Sequence, residues 1–386
     1  MSDANKFCGL QNFGNTCYIN GVLQCLNASP GILKGITDDE EHKRDIEYYK
    51  LIEQCPDDEL DTNPILKKND INLSKIKNLN IYFNFKKLII ELNKNTNITI
   101  KPIDFIIACK NVADENGLEH LFSGMQNDSN EFLVFLLDRL HEAKTSTKEI
   151  QTKFNSIEEC GNSSANKIYF QAEQKFKEFY NKKSSWLIDE FYFQNICITK
   201  CKKCPYYSLS FDPLNSLIVP IPKINKNNQH LTLIDCLDHN FGKEILKASS
   251  EWKCDKCKNT ELNFKQYRLF NTPNTLIINI KRFTYDYNVG DFIKNNTFID
   301  IPQILNLSNY KLFNKNEKNM YKLYGIVNHI GNMNGGHYTS YCRNNIKTNI
   351  KNGNDEWLVY DDETISKLKT DLITPNSYML FYRLIE

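Results

Sequence analysis

Apolar positions recur at helical spacing in the first third of the chain and at alternate positions in its second half. Ile19, Val22, Leu23 and Leu26 share one face of a helix that starts near Cys17. Gly14 and Asn15 predict a tight turn ahead of it, and Asn15 or Thr16 stands where a cap belongs. Cys17 then falls in the first turn. Tyr82 to Leu92 reads as another helix. Asp128 to His141 carries the clearest pattern, with Phe132, Phe135, Leu136 and Leu140 on one face. Asp128 followed by Glu131 has the form of a capping box. Residues 34–104 are otherwise rich in Asn, Lys and Asp and read as surface loop or insertion. Residues 143–185 read as a polar, partly helical connection, and no internal repeat is visible.

From Asp189 onward the pattern alternates. Phe191 to Thr199, Leu214 to Ile221, Thr275 to Phe283, Tyr321 to Ile330, Tyr338 to Arg343, Trp357 to Tyr360 and Tyr378 to Leu384 read as strands. Helices early and strands late predict an α+β protein, with a helical lobe facing a sheet lobe and a site in the cleft between them.

Composition narrows the class. The chain has 386 residues, 41% hydrophobic and 12% aromatic, enough for two or three packed lobes. A net charge of +1 argues against nucleic acid as the main partner. No run reaches the roughly 18 apolar residues of a membrane span, and the first residues lack the features of a secretory leader. An intracellular protein, cytoplasmic and/or nuclear, is expected. Its 13 cysteines then read as metal ligands or catalytic thiols rather than disulfides.

Cys17 follows the turn Asn12-Phe13-Gly14-Asn15-Thr16 and opens a helix. A helix N-terminus offers free N–H groups and partial positive charge, which favour a thiolate and can hold an oxyanion. Asn12 is a candidate further donor. The plain alternative is one more buried cysteine on a helix. Asn334-Gly335-Gly336-His337-Tyr338 sets a histidine at a strand start, where it could take the thiol proton. His329 is its competitor, and the Gly-Gly lead-in favours His337. Trp357 to Asp362 is a strand ending in two acids, one of which could fix the imidazole tautomer. A solvated Asp-Asp turn is the plainer reading there.

Cys201-Lys202-Lys203-Cys204 and Cys254-Asp255-Lys256-Cys257 form two CxxC knuckles, suited to one tetrahedral structural zinc with no open position. Residues 205–253 separate them, so strands must bring them together. Two unrelated cysteine pairs, or a site that has lost its metal, are the alternatives.

Together these segments resemble the ubiquitin-specific protease family of deubiquitinases. Gly9 to Asn20 looks like its cysteine box. Tyr324 to His329 with Gly335 to Tyr341 resembles its histidine box, and Trp357 to Asp362 and Tyr378 to Tyr382 its closing motifs. The resemblance implies a papain-like cysteine protease built as a single catalytic domain over 1–386. It implies a helical thumb near 1–145, zinc-bearing fingers near 186–270 and an antiparallel palm near 271–386. It implies cleavage after the C-terminal Gly-Gly of ubiquitin, with Cys17 as nucleophile, His337 as base, Asp361 as orienting acid and Asn12 in the oxyanion hole. Asp362 would be a supporting polar residue. Gln126 to Phe132 resembles a further motif in which Asp128 contacts the ubiquitin tail. Gly335 and Gly336 are expected to form part of a slot too narrow for side chains. Ubiquitin, ubiquitinated proteins and regulatory proteins are the implied partners of a monomer. Asn279, Asn127 and Asn130 depart from the family pattern outside the proposed chemistry. A silent ubiquitin-binding scaffold and a thiol acyltransferase with another substrate are the competing functions.

Overall fold

The computed structural model describes residues 7–37, 46, 47, 50, 64, 72–94, 98–145, 149–223, 230–245, 252–287, 290–313, 319–332, 335–343 and 356–385. The chain divides into two compact units. One comprises Met1–Thr145, Phe283–Asn296 and Tyr324–Phe381. The other comprises Ser146–Arg282, Thr297–Leu323 and Tyr382–Glu386.

The first unit is built around the helix Cys17–Asn27. Residues Cys17 to Leu26 are all buried, so this element is a core helix rather than an amphipathic surface one. Its four predicted apolar positions are fully excluded from water, each worth roughly 2 kcal/mol. The helix Ser129–Lys144 packs against it, with Phe132, Leu136 and Leu140 fully buried. On its other side lies the strand Gly335–Arg343. That strand pairs antiparallel with Met320–Asn332 and with Trp357–Asp361, and Thr364–Lys367 completes the edge. Helix Leu73–Leu92 begins well before the predicted Tyr82. Asn72 caps it by accepting from the Lys75 N–H at 2.9 Å. Most of the Asn/Lys-rich stretch between residues 38 and 71 lies outside the described residues.

The second unit carries a three-stranded antiparallel sheet with Phe193–Cys201 between Tyr207–Leu214 and Leu262–Leu269. Helix Ser164–Phe179 packs on it through Ala172, against Ile196 and Phe270. Leu217–Pro220 pairs parallel with Thr275–Lys281. Helix Leu233–Asn240 starts with a complete capping box of Thr232 and Asp235.

Several predicted strands shift. Phe191 ends a short helix, Trp186–Phe191, and the strand begins at Phe193. Leu214 closes one strand, and Leu217 opens the next. Arg282 breaks the run from Thr275 to Phe283: its fully buried guanidinium donates to the Thr297 carbonyl at 2.9 Å. Among the described residues, no helix is long and apolar enough to cross a membrane.

Candidate active site and four-cysteine centre

All the catalytic candidates gather in the first unit. Gly14 and Asn15 turn the chain with φ of 80° and 60°, and Cys17 opens its helix as predicted. Thr16 occupies the cap position, yet its side chain does not cap. Its hydroxyl accepts from the Phe13 N–H at 3.0 Å and donates to Asn12 Oδ1 at 3.1 Å. The first N–H groups of the helix therefore stay available. Those of Cys17 and Tyr18 face the Cys17 sulfur, together with the N–H of Tyr338.

The thiol does not follow the expected direction. Burial pushes it above its ordinary value, and the Asp362 carboxylate pushes it further. The three N–H donors oppose this and are outweighed. The thiol therefore needs a base to form the thiolate.

His337 is the third residue of its strand and is 41% exposed at the side chain. Its Nε2 pairs with Asp361 Oδ1 at 2.6 Å. With Nε2 committed, Nδ1 is left for proton transfer. His329 is a different kind of residue. It is 4% exposed, edge-on to Phe283 at 5.2 Å and tilted on Tyr338 at 4.7 Å. Burial lowers its pKa to about 4, so it is held neutral.

Asp361 ends its strand and Asp362 sits in the turn, at φ 50°. Asp362 is a hub. Its Oδ2 accepts from Asn12 Nδ2 at 2.8 Å, its Oδ1 from Asn20 Nδ2 at 2.8 Å, and its carbonyl from the Leu10 N–H at 3.0 Å. Asn12 Oδ1 also accepts from the Thr16 N–H at 3.1 Å. The Asn12 amide is held at both ends, with one Nδ2 hydrogen left over. Gly9 permits the close approach of this turn: a Cβ there would lie 2.4 Å from the Glu363 carbonyl oxygen. The Glu363 carboxylate in turn accepts from the Asn12 N–H at 2.9 Å.

Asp128 caps the Ser129–Lys144 helix, accepting from the N–H of Asn130 at 2.6 Å and of Glu131 at 3.3 Å. Its other oxygen accepts from the Tyr378 hydroxyl. Burial raises its carboxyl pKa, against the pull of those donors. Glu131 turns to His120 instead of closing a capping box, at 2.9 Å. Gly336 is required by packing, since a Cβ would meet His329 Nε2 at 2.2 Å. Among the described residues, nothing lies within 4 Å of where a Cβ at Gly335 would be. Asn127 ties its own loop together through the His120 and Met125 carbonyls. Asn279 is buried in the second unit, with its Nδ2 unpartnered among the described residues.

Three participants carried no role in the sequence reading: Gln126 and Asn20, which stood only at the ends of resembling motifs, and Glu363. Asn20 left one signal, a polar residue within an otherwise apolar helix. Gln126 donates to the Gly336 carbonyl at 2.7 Å and accepts from the Gly336 N–H. Nothing in the sequence joins residues so far apart.

The second unit holds Cys201, Cys204, Cys254 and Cys257 with their sulfurs all within 4.8 Å of one another. Cys201 and Cys257 lie 3.6 Å apart, as do Cys204 and Cys254. A zinc with bonds of about 2.3 Å in tetrahedral geometry sets its sulfurs about 3.8 Å apart, whereas a disulfide needs about 2.0 Å. The donor set fits a metal. The strands Phe193–Cys201 and Leu262–Leu269 bring the knuckles together, and the Lys202 N–H bonds the Glu261 carbonyl at 3.1 Å.

Known proteins share this plan. The ubiquitin carboxyl-terminal hydrolase family model matches residues 8–382. Ubiquitin carboxyl-terminal hydrolase 4 of Saccharomyces cerevisiae is 30% identical over 400 residues, covering 97% of this chain and 39% of that protein. Ubiquitin carboxyl-terminal hydrolase 2 of Homo sapiens is 26% identical over 386 residues, covering 99% of this chain and 56% of that protein. The chain thus spans well under two thirds of either relative. The SAGA Ubp8/Sgf11/Sus1/Sgf73 DUB module bound to ubiquitin aldehyde has the same fold, with a TM-score of 0.63 at 21% identity, over 100% of this chain and 71% of that one. With its cysteine, histidine and aspartate segments assembled in one unit and nearly its whole length matched, the chain belongs to the ubiquitin carboxyl-terminal hydrolase family.

Proposed function

We propose that the chain is a thiol-dependent deubiquitinase, hydrolysing the peptide or isopeptide bond after the C-terminal glycine of ubiquitin through an acyl-enzyme on Cys17. One observation carries this reading. The imidazole held by Asp361 at 2.6 Å belongs to the strand whose next N–H, that of Tyr338, meets the Cys17 sulfur.

His337 Nδ1 takes the thiol proton, and the sulfur attacks the glycine carbonyl carbon. The carbonyl oxygen becomes an oxyanion, stabilised by helix N–H groups and the remaining Asn12 Nδ2 hydrogen. Asp361 stabilises the imidazolium and keeps its tautomer. The imidazolium then protonates the departing amine, leaving a thioester on Cys17. Water, deprotonated by His337, attacks the thioester and frees ubiquitin and the thiol. Asp128 and the Gly335-Gly336 segment are the proposed contacts of the extended tail. The approximate ranges 1–145, 186–270 and 271–386 are the proposed thumb, fingers and palm.

The four-cysteine centre is the proposed seat of a structural zinc. An ion there would supply a crosslink between the knuckles, and four thiolates leave it no position for chemistry. Ubiquitin, ubiquitinated proteins and regulatory proteins are the proposed partners. The SAGA module, seen together with Sgf11, Sus1, Sgf73 and ubiquitin aldehyde, supports protein partners of this kind. Catalytic and metal-binding thiols favour a reducing, intracellular location.

The direct test is cleavage of a fluorogenic ubiquitin C-terminal amide, with Cys17→Ala as control. Lack of turnover by the wild type would sink the reading. The raised thiol pKa favours one second reading, a ubiquitin-binding scaffold without activity. Binding of ubiquitin without reaction toward a ubiquitin electrophile would select it.

A further inference from the structure

His337 lies between two peptides that share one edge of its strand. Main-chain groups of alternate residues in an antiparallel strand point to opposite sides. His337 stands opposite Ile330 of the strand Met320–Asn332. Gly336 and Tyr338 turn their main-chain groups the other way. There the Tyr338 N–H meets the Cys17 sulfur. The strand Trp357–Asp361 covers that edge only between Ser340 and Arg343, so it stops short of Gly336.

Gln126 takes the uncovered place. Its Nε2 donates to the Gly336 carbonyl at 2.7 Å, and its Oε1 accepts from the Gly336 N–H. A carboxamide has the donor and acceptor of a peptide unit, so one side chain closes both bonds as a neighbouring strand would. The clasp is itself anchored. Asn127, next in sequence, bonds the carbonyls of His120 and Met125, and Asp128 is held by the helix it caps and by Tyr378. On its other face Gly336 rests against His329, where no Cβ fits.

We propose that Gln126 is a positioning residue for His337. By clasping Gly336 it fixes the peptide that carries the imidazole, in step with the Tyr338 peptide that meets the nucleophile. This rests on the reading of Cys17 and His337 as nucleophile and base. Neither Gln126 nor Gly336 moves a proton in the reaction. Their part is to hold the strand segment that carries the base.

The test alkylates Cys17 with iodoacetamide across pH, followed by peptide mapping, which reads the thiol and its base without ubiquitin. Gln126→Ala is expected to move the acid limb of the Cys17 profile to higher pH and to slow alkylation at pH 7 about tenfold, equivalent to one pKa unit. On the fluorogenic ubiquitin amide, kcat should fall about tenfold to a hundredfold while KM changes by less than about threefold. Gln126→Glu keeps the acceptor for the Gly336 N–H and should recover part of the loss. The thermal unfolding midpoint of each variant should match the wild type, because Gln126 is exposed. His337→Ala separates the two ideas. If it leaves the alkylation profile as in the wild type, the reading of the base fails and the positioning role with it. If it alters the profile while Gln126→Ala does not, or if Gln126→Ala raises KM alone, the positioning role is overturned and the base stands.

Discussion

The two cysteine sites use the same atom to opposite ends. At the four-cysteine centre each sulfur has three others within 4.8 Å, an arrangement closed around one point. Cys17 is a single thiol, buried and pushed up in pKa, and the His337–Asp361 pair of the same unit is more than two-fifths exposed. Saturation makes a thiol structural. A thiol left with an unsatisfied base nearby remains able to react. The difference lies in the neighbours, since both sites draw on main-chain N–H donors.

The largest expected effect breaks the open site alone. Cys17→Ala should abolish turnover, and His337→Ala should cost about 10²–10⁴ in kcat/KM. Neither should alter the metal content, which metal analysis of the purified variants checks. Breaking the closed site should do the reverse. Cys254→Ser should lower zinc from near one equivalent and destabilise the second unit, because metal binding there is folding free energy. The surviving folded fraction should still alkylate at Cys17. Absence of zinc from the wild type would remove the contrast altogether.

Within the open site the two acids should separate. Asp361→Ala removes the partner of the imidazole and is expected to cost roughly 10³ in kcat. Asp362→Ala frees the Asn12 and Asn20 amides but removes no oxyanion donor, so its cost should stay below about 10². A greater loss at Asp362 would reverse the assignment. Gly336→Ala should impair folding and activity through the clash with His329, whereas Gly335→Ala should fold normally and raise KM for ubiquitin if the slot reading holds.

The smallest effect is on acid stability. His329 and His141 are both buried, and burial lowers each to about 4 from 6.5. A depressed folded pKa gives stability that is present above 6.5 and lost as pH falls through about 4. The difference is worth about 3 kcal/mol for each histidine. Urea unfolding at pH 7 and pH 4.5 should show a clear loss, smaller in a His329→Phe variant. Equal stability at the two pH values would contradict the neutral, structural role of His329, and with it the contrast to His337.

Much of this was legible in the sequence because it is local. The Cys17 helix, the Asp128 helix and the strands bearing His337 and Asp361 announce themselves through spacing, turn residues and caps. What was hidden is tertiary. The first half of helix Leu73–Leu92 was missed because Asn78 interrupts its apolar face and is nonetheless buried. Phe191 reads as strand by residue type, yet it ends a helix. Tyr207–Leu214 was missed because Pro213 and its polar alternate positions mask the strand. The thiol was expected to be lowered by the helix start, a local effect. Burial and Asp362, which only the fold brings to it, won instead.

The most direct test is reaction of the wild-type protein with a ubiquitin C-terminal electrophile, followed by peptide mapping. A single ubiquitin adduct on Cys17, lost in Cys17→Ala and slowed in His337→Ala, is the expected result. No adduct, or an adduct on a cysteine other than Cys17, would contradict the assignment of the nucleophile.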